Sequence, residues 1–80
     1  MTNRQFDKYK TEFIDDGQET PGILSLSRQL RFDDYFGEMV IYKEELTEEE
    51  QGYIFRFAEK HDLMYNKMND RVVFYERPGA

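Results

Sequence analysis

The stretch Glu44–Asp62, EELTEEEQGYIFRFAEKHD, constrains this chain most, because it fixes one helix and the side of it that must be covered. Thr47-Glu48-Glu49-Glu50 has the form of a capping box, in which the Thr side chain accepts from a free helix amide and Glu50 reaches back to the Thr amide. Leu46 before it completes the start signal. At 100° per residue, Tyr53, Ile54, Phe57 and Ala58, with His61, share an arc of about 140°, and Glu48, Glu49, Arg56, Glu59 and Lys60 lie opposite. Phe55 falls just outside the arc, where an aromatic is expected under an adjoining segment or, failing that, against a partner. Gly52 costs about 1 kcal/mol relative to Ala inside a helix, which predicts a second backbone passing close to it.

What covers that helix must come from few residues. A chain of 80 residues is one domain, residues 1–80, and buries only about 60–65% of the surface it exposes when unfolded. Such domains usually add disulfides, a metal or a second subunit, but this one has no cysteine and so neither disulfides nor thiolate zinc sites. The remaining means are dense packing of its thirteen Phe and Tyr residues or their burial between two copies, so a homodimer is expected.

The other elements follow from spacing. Thr2-Asn3-Arg4-Gln5 is a second capping box, and Phe6, Tyr9 and Phe13 recur at helical intervals, predicting a helix over 3–15 that stops at Gly17. Gln18–Gly22 reads as a loop ending in a Pro21-Gly22 turn. Leu24, Leu26, Leu30 and Phe32 alternate with polar residues, predicting a half-buried strand. A two-residue turn at Asp33-Asp34 would return the chain from Tyr35 to Glu44, setting Phe32 opposite Tyr35 and Leu30 opposite Gly37, although a longer loop through Gly37 also fits. A short helix across Ser27–Tyr35 is the weaker alternative. After the central helix, Leu63–Met68 and Arg71–Arg77 flank Asn69-Asp70 and form a second hairpin, with Tyr65 opposite Phe74 and Asn66 opposite Val73. Pro78-Gly79-Ala80 is expected to fray. The fold is thus α+β in the order α-β-β-α-β-β, two helices on antiparallel hairpins.

No motif names a reaction. His61 sits in the last helical turn beside Asp62, where the dipole favours it. Ser25 and Ser27 lack the elbow and the glycine-rich oxyanion loop of a serine hydrolase, Asp33, Asp34 and Glu38 miss the spacing of a calcium loop, and no phosphate loop occurs. A non-enzymatic protein without cofactor or metal is expected. The first residues are polar where a signal peptide is apolar, and no apolar run approaches a membrane span of about 18 residues. The chain is therefore read as soluble and cytoplasmic.

Charge carries the functional reading. Seventeen acidic against eleven basic residues give a net charge of −6, which disfavours direct binding to nucleic acid or to anionic membranes and favours a basic partner. The excess is local: Asp33–Glu50 holds eight acidic residues against Lys43 alone, whereas residues 51–80 are net +1. Helix capping and dipole account for Glu48, Glu49 and Glu50. They do not account for Asp33, Asp34, Glu38, Glu44 or Glu45, nor for Asp15 and Asp16, which stand at the unfavourable end of the first helix. These seven, with Glu49, make a candidate acidic face whose carboxylates, about 6–7 Å apart on strand or helix, could imitate nucleic-acid phosphates and occupy the basic site of a DNA-binding protein or nuclease. In size, charge and lack of cysteine the chain is similar to small acidic phage inhibitors of such proteins, a likeness that transfers no residue roles. A second expectation is docking through apolar surface, with Phe55, Tyr65, Val73 and Tyr75 as the dimer or partner contacts.

Overall fold

The computed structural model describes residues 1–20 and 22–78, so Pro21 in the predicted turn and the Gly79-Ala80 end lie outside the described residues. Both capping boxes form: Thr2 and Gln5 open helix α1 (Asn3–Asp16), and Thr47 and Glu50 open helix α3 (Glu48–Lys60). Between them lie a short helix α2 (Ile23–Ser27) and strands β1 (Leu30–Asp33) and β2 (Glu38–Ile41). Strands β3 (Leu63–Lys67) and β4 (Val72–Glu76) follow α3. All four strands join one antiparallel sheet in the order β1-β2-β4-β3. The fold is α+β, with an additional helix where the sequence pattern predicts the start of a strand.

That helix has a physical reason. Ile23, Leu26, Ser27 and Leu30 recur at helical spacing, and all four are buried, while Leu24 is left 45% exposed. The alternation of Leu24, Leu26 and Leu30 is a subset of a 3.6-residue pattern that begins at Ile23. Gly22, with φ 89°, turns the chain into the helix.

The first hairpin also pairs differently. Leu30 faces Ile41 and Phe32 faces Met39, four residues from the register a two-residue turn would give. An even slip keeps every side chain on its face, so Leu30, Phe32, Met39 and Ile41 still point to the core side, and only Tyr35 leaves it. The connection is longer because the Asp33 carboxylate accepts from the Tyr35 and Phe36 amides, and Gly37, with φ 65°, closes the loop. The second hairpin has the predicted register, Tyr65 opposite Phe74 and Asn66 opposite Val73.

Helices pack on the sheet face that carries Leu30, Met39, Ile41, Leu63, Val72 and Phe74. At the centre, the fully buried Phe13 of α1 meets Tyr53 and Phe57 of α3 edge-on, with ring centroids 4.9 and 5.0 Å apart. The Tyr53 hydroxyl donates to the Phe13 carbonyl at 2.5 Å. Burial pushes the Tyr53 hydroxyl up to about 12, with the Asp16 carboxylate adding to the rise. Gly17 lets the end of α1 lie against α2: a Cβ there would fall 2.2 Å from Ile23 Cγ2. Gly52 does not have the backbone contact its position predicts, since a Cβ there would meet only the tip of the Arg56 side chain at 3.2 Å.

Two measurements test this packing. In urea denaturation Gly17→Ala should lose about 1–3 kcal/mol through overpacking against Ile23, while Gly52→Ala should gain up to about 1 kcal/mol from helix propensity as Arg56 moves aside. Glu50 supplies a pH dependence. Its burial opposes ionisation, but the Lys43 ammonium at 2.6 Å and the bonds from Thr47 outweigh this and hold its carboxyl below the usual range. A depressed folded-state pKa means a contribution that is full above the unfolded value of about 4.3 and lost as pH falls through the folded one. Thermal melts from pH 7 down to 3 should show this loss in the native protein and a shallower loss in Glu50→Gln.

Candidate protein-binding surface

The eight acidic residues expected to share a face are placed by the fold in three groups. Asp33 and Glu38 are directly opposite each other across β1 and β2, with Asp34 next to them in the turn. Glu44, Glu45 and Glu49 lie at the other end of β2 and the start of α3, up to about 20 Å along the chain from Glu38 at strand rise. Asp15 and Asp16 end α1 in the helix layer. One continuous row along a strand is not formed; the first two groups lie at or beyond opposite ends of β2, and the third ends a helix.

Of the eight, Asp16 alone has a cation. The Lys60 ammonium lies 2.9 Å from its carboxylate. Among the described residues, none of the other seven carboxylates has a Lys, Arg or His nitrogen within 4.0 Å. Several basic side chains are spent elsewhere: Lys43 on Glu50 rather than on its neighbours Glu44 and Glu45, Arg71 on Asp70, and Arg77 on Asp62. Lys67 caps the Glu44 and Met68 carbonyls, leaving the Glu44 carboxylate alone. Two like charges directly opposite in an antiparallel pair are destabilising, and Asp33 and Glu38 hold that position with two turn amides on Asp33 but no cation on either.

The turn between them carries a feature that the sequence pattern concealed. Tyr35 and Phe36 are 85% and 68% exposed, and their rings meet edge-on with centroids 4.7 Å apart. They project from a loop fixed at three points: the two amide bonds to Asp33, the positive φ of Gly37, and the Met1 nitrogen, which donates to the Gly37 carbonyl at 2.6 Å. The signal lay in Asp33…Gly37 as a turn with an Asx start and a glycine finish, which removes residues 34–36 from any strand.

No protein-family model matches this chain, and neither a search of curated proteins nor one of solved structures returned a match. The chemistry of the surface therefore rests on its own residues.

The apolar contacts fall in two places. Phe55 is 54% exposed, and Tyr65 is 36% exposed on the neighbouring strand; together they border a groove of about 300 Å³ between α3 and β3. Val73 and Tyr75 are on the sheet face opposite that of Tyr65, Tyr75 half-buried beside Met64: Val73 pairs with Val40 on the face turned away from the helices and is only 5% exposed. Its neighbours cover it, so it offers a partner no free surface.

The remaining polar side chains are held in structural contacts. His61 Nε2 lies 3.1 Å from Glu12 and 4.0 Å from Asp16, off the direction of a hydrogen bond, between the rings of Tyr9 and Phe57. Ser27 donates to the Leu24 carbonyl and Asp62 accepts from Arg77, so neither is joined to His61 in a relay. Among the described residues no three His, Asp or Glu side chains converge as metal ligands, and no helix is long and apolar enough to cross a membrane.

Because Tyr35 and Phe36 are largely exposed, Tyr35→Ala and Phe36→Ala should each leave stability within about 0.5 kcal/mol of the native protein. Asp33→Ala, which removes the acceptor of two turn amides, should cost about 1 kcal/mol or more. Chemical denaturation of the three variants separates an exposed tip from a structural one.

Proposed function

We propose that this is a small, non-enzymatic, acidic binding protein whose partner is a basic protein. In its sharpest form the partner's basic surface is one that otherwise holds nucleic acid, as in a DNA-binding protein or nuclease, and the carboxylates compete with phosphates for it. The observation that carries the reading is the set of carboxylates left without cations while nearby Lys43 turns to Glu50. Desolvating a surface carboxylate against a partner's Lys or Arg gains most where no internal ion pair has to be broken first. The arrangement favours two points of contact at the ends of the sheet over a continuous phosphate-like row. At one of them Tyr35 and Phe36 supply the rigid aromatic anchors that binding hot spots are rich in.

A second reading has one observation in its favour, the exposure of Phe55 beside an apolar groove. There the protein would be an interaction module docking through apolar surface, with charge affecting only the encounter.

Capture from a lysate with elution by a salt gradient distinguishes the two. The acidic reading expects basic, nucleic-acid-binding proteins released at moderate salt. Changing Asp33, Asp34, Glu44 and Glu45 together to Lys should lower the association rate at least about tenfold as steering is lost. Affinity that stays flat with salt and survives those reversals, yet disappears in Phe55→Ala or Tyr75→Ala, would leave the apolar reading in its place.

A further inference from the structure

The sheet has two edges, and they are not equivalent. On β1 the pairing of the Tyr42 amide with the Gln29 carbonyl, followed by alternation along the ladder, turns the Leu30 and Phe32 main chains outward. That edge is plugged: Arg31 Nη1 donates to the outward Leu30 carbonyl at 2.7 Å and to the Arg28 carbonyl at 2.8 Å. A charged side chain folded over the edge is a familiar protection against pairing. On β3 the Met68 amide pairs with the Arg71 carbonyl. The same alternation commits Met64 and Asn66 to β4 and leaves the N–H and C=O groups of Leu63, Tyr65 and Lys67 facing solvent. No side chain bonds to these groups among the described residues. The open edge is bordered by the groove of about 300 Å³ that includes Phe55, Ala58, Leu63, Met64, Tyr65 and Tyr75.

We infer that β3 is a self-association edge, occupied by β3 of a second copy in antiparallel register centred on Tyr65, so that two four-stranded sheets become one of eight strands. Three features select a second copy. One open edge and one plugged edge permit a closed two-fold pair and disfavour the β1-to-β3 addition that would propagate a fibre. The register is self-complementary: Tyr65 meets its own symmetry mate, and Leu63 meets Lys67, so all three outward main-chain positions pair. The charges also favour this direction, because Lys67 falls opposite the uncharged Leu63 and Asp62 opposite the uncharged Met68, whereas a parallel arrangement in register would set like on like. The net acidity of the chain does not oppose this locally, since Asp62–Arg71 contains two acidic and two basic residues. Phe55, at the rim of the groove, would be covered in the same event.

The test uses sedimentation equilibrium and hydrogen exchange on the full chain. At about 100 μM, well above a micromolar dissociation constant, the native protein should have twice the mass of one chain. Tyr65→Asp and Tyr65→Lys each place like charges across the two-fold axis and should run as single chains. An equimolar mixture of the two variants should return to twice the mass, which a merely destabilising substitution could not do. Independently of any variant, amides of Leu63, Tyr65 and Lys67 should become protected as the native protein is concentrated, while those of Met64 and Asn66 stay protected throughout. A native protein that remains a single chain at that concentration, a Tyr65→Asp variant that still doubles, or concentration-independent exchange at Leu63, Tyr65 and Lys67 would each overturn the assignment.

Discussion

The structure depends on the edge-on contacts of Phe13 with Tyr53 and Phe57. Through them the first helix is held to the third, and Phe57 passes the contact on to Phe74 of the central strand at 5.9 Å and thence to Tyr65 at 6.2 Å. A two-layer domain of this size has little apolar area to spare, so aromatic rings that touch several partners at once carry much of the cohesion. The same contact solves a polar problem. The Phe13 carbonyl is one of the last four of α1 and has no helical donor; the Tyr53 hydroxyl supplies one. With its pKa pushed up to about 12 by burial, Tyr53 keeps that proton at neutral pH. Gly17 then lets Ile23 approach the end of α1 closely, beside the Phe13 carbonyl that also lies 3.2 Å from a Cβ built there.

How much of this could be read from the residues varies with the kind of signal. Helix starts were plain, because a capping box is a local chemical device with a fixed spacing, and both boxes form as written. The last hairpin was plain too, since Asn69-Asp70 is short enough for the turn to set the register. The first hairpin was not. Leu26 and Leu30 satisfy a period of two and a period of 3.6 equally, and the residue that breaks the tie, Ile23, lies upstream of the alternating run. The wrong turn length survived on the core face because the slip was even, and it failed only at Tyr35, which it placed inside rather than at the tip.

For the candidate surface the legibility was lower still. Composition located the acids in one third of the chain, but which of them lack cations depends on where four basic side chains reach. Lys43 illustrates this: in sequence it neighbours Glu44 and Glu45, yet it extends to Glu50, whose carboxylate is nearly buried and bonded to Thr47. An ion pair in that setting is less screened by water than one at the surface, so it outcompetes the adjacent acids. Phe55 is a similar case. Whether an aromatic at the border of a helix face is covered depends on what the neighbouring strand does, and β3 ends the sheet.

The strand order gives these two surfaces a relation that neither has alone. The acidic turn belongs to the β1–β2 hairpin and the open edge to β3, with β4 between, so about 14 Å of sheet, three strand spacings, separates the turn from the edge. Association through β3 would leave the acidic turns near the two outer margins of an eight-stranded sheet, at opposite ends of the strands. Their mutual repulsion would then be weak, since the separation exceeds a Debye length of about 8 Å at physiological salt. Such a dimer would present two copies of Asp33, Asp34, Tyr35 and Phe36 on one rigid frame. A partner with two matching basic sites would be held by effective concentration as well as by contact. The plug that Arg31 places on the β1 edge protects this arrangement, because pairing there would bury the acidic turn's own strand against another chain.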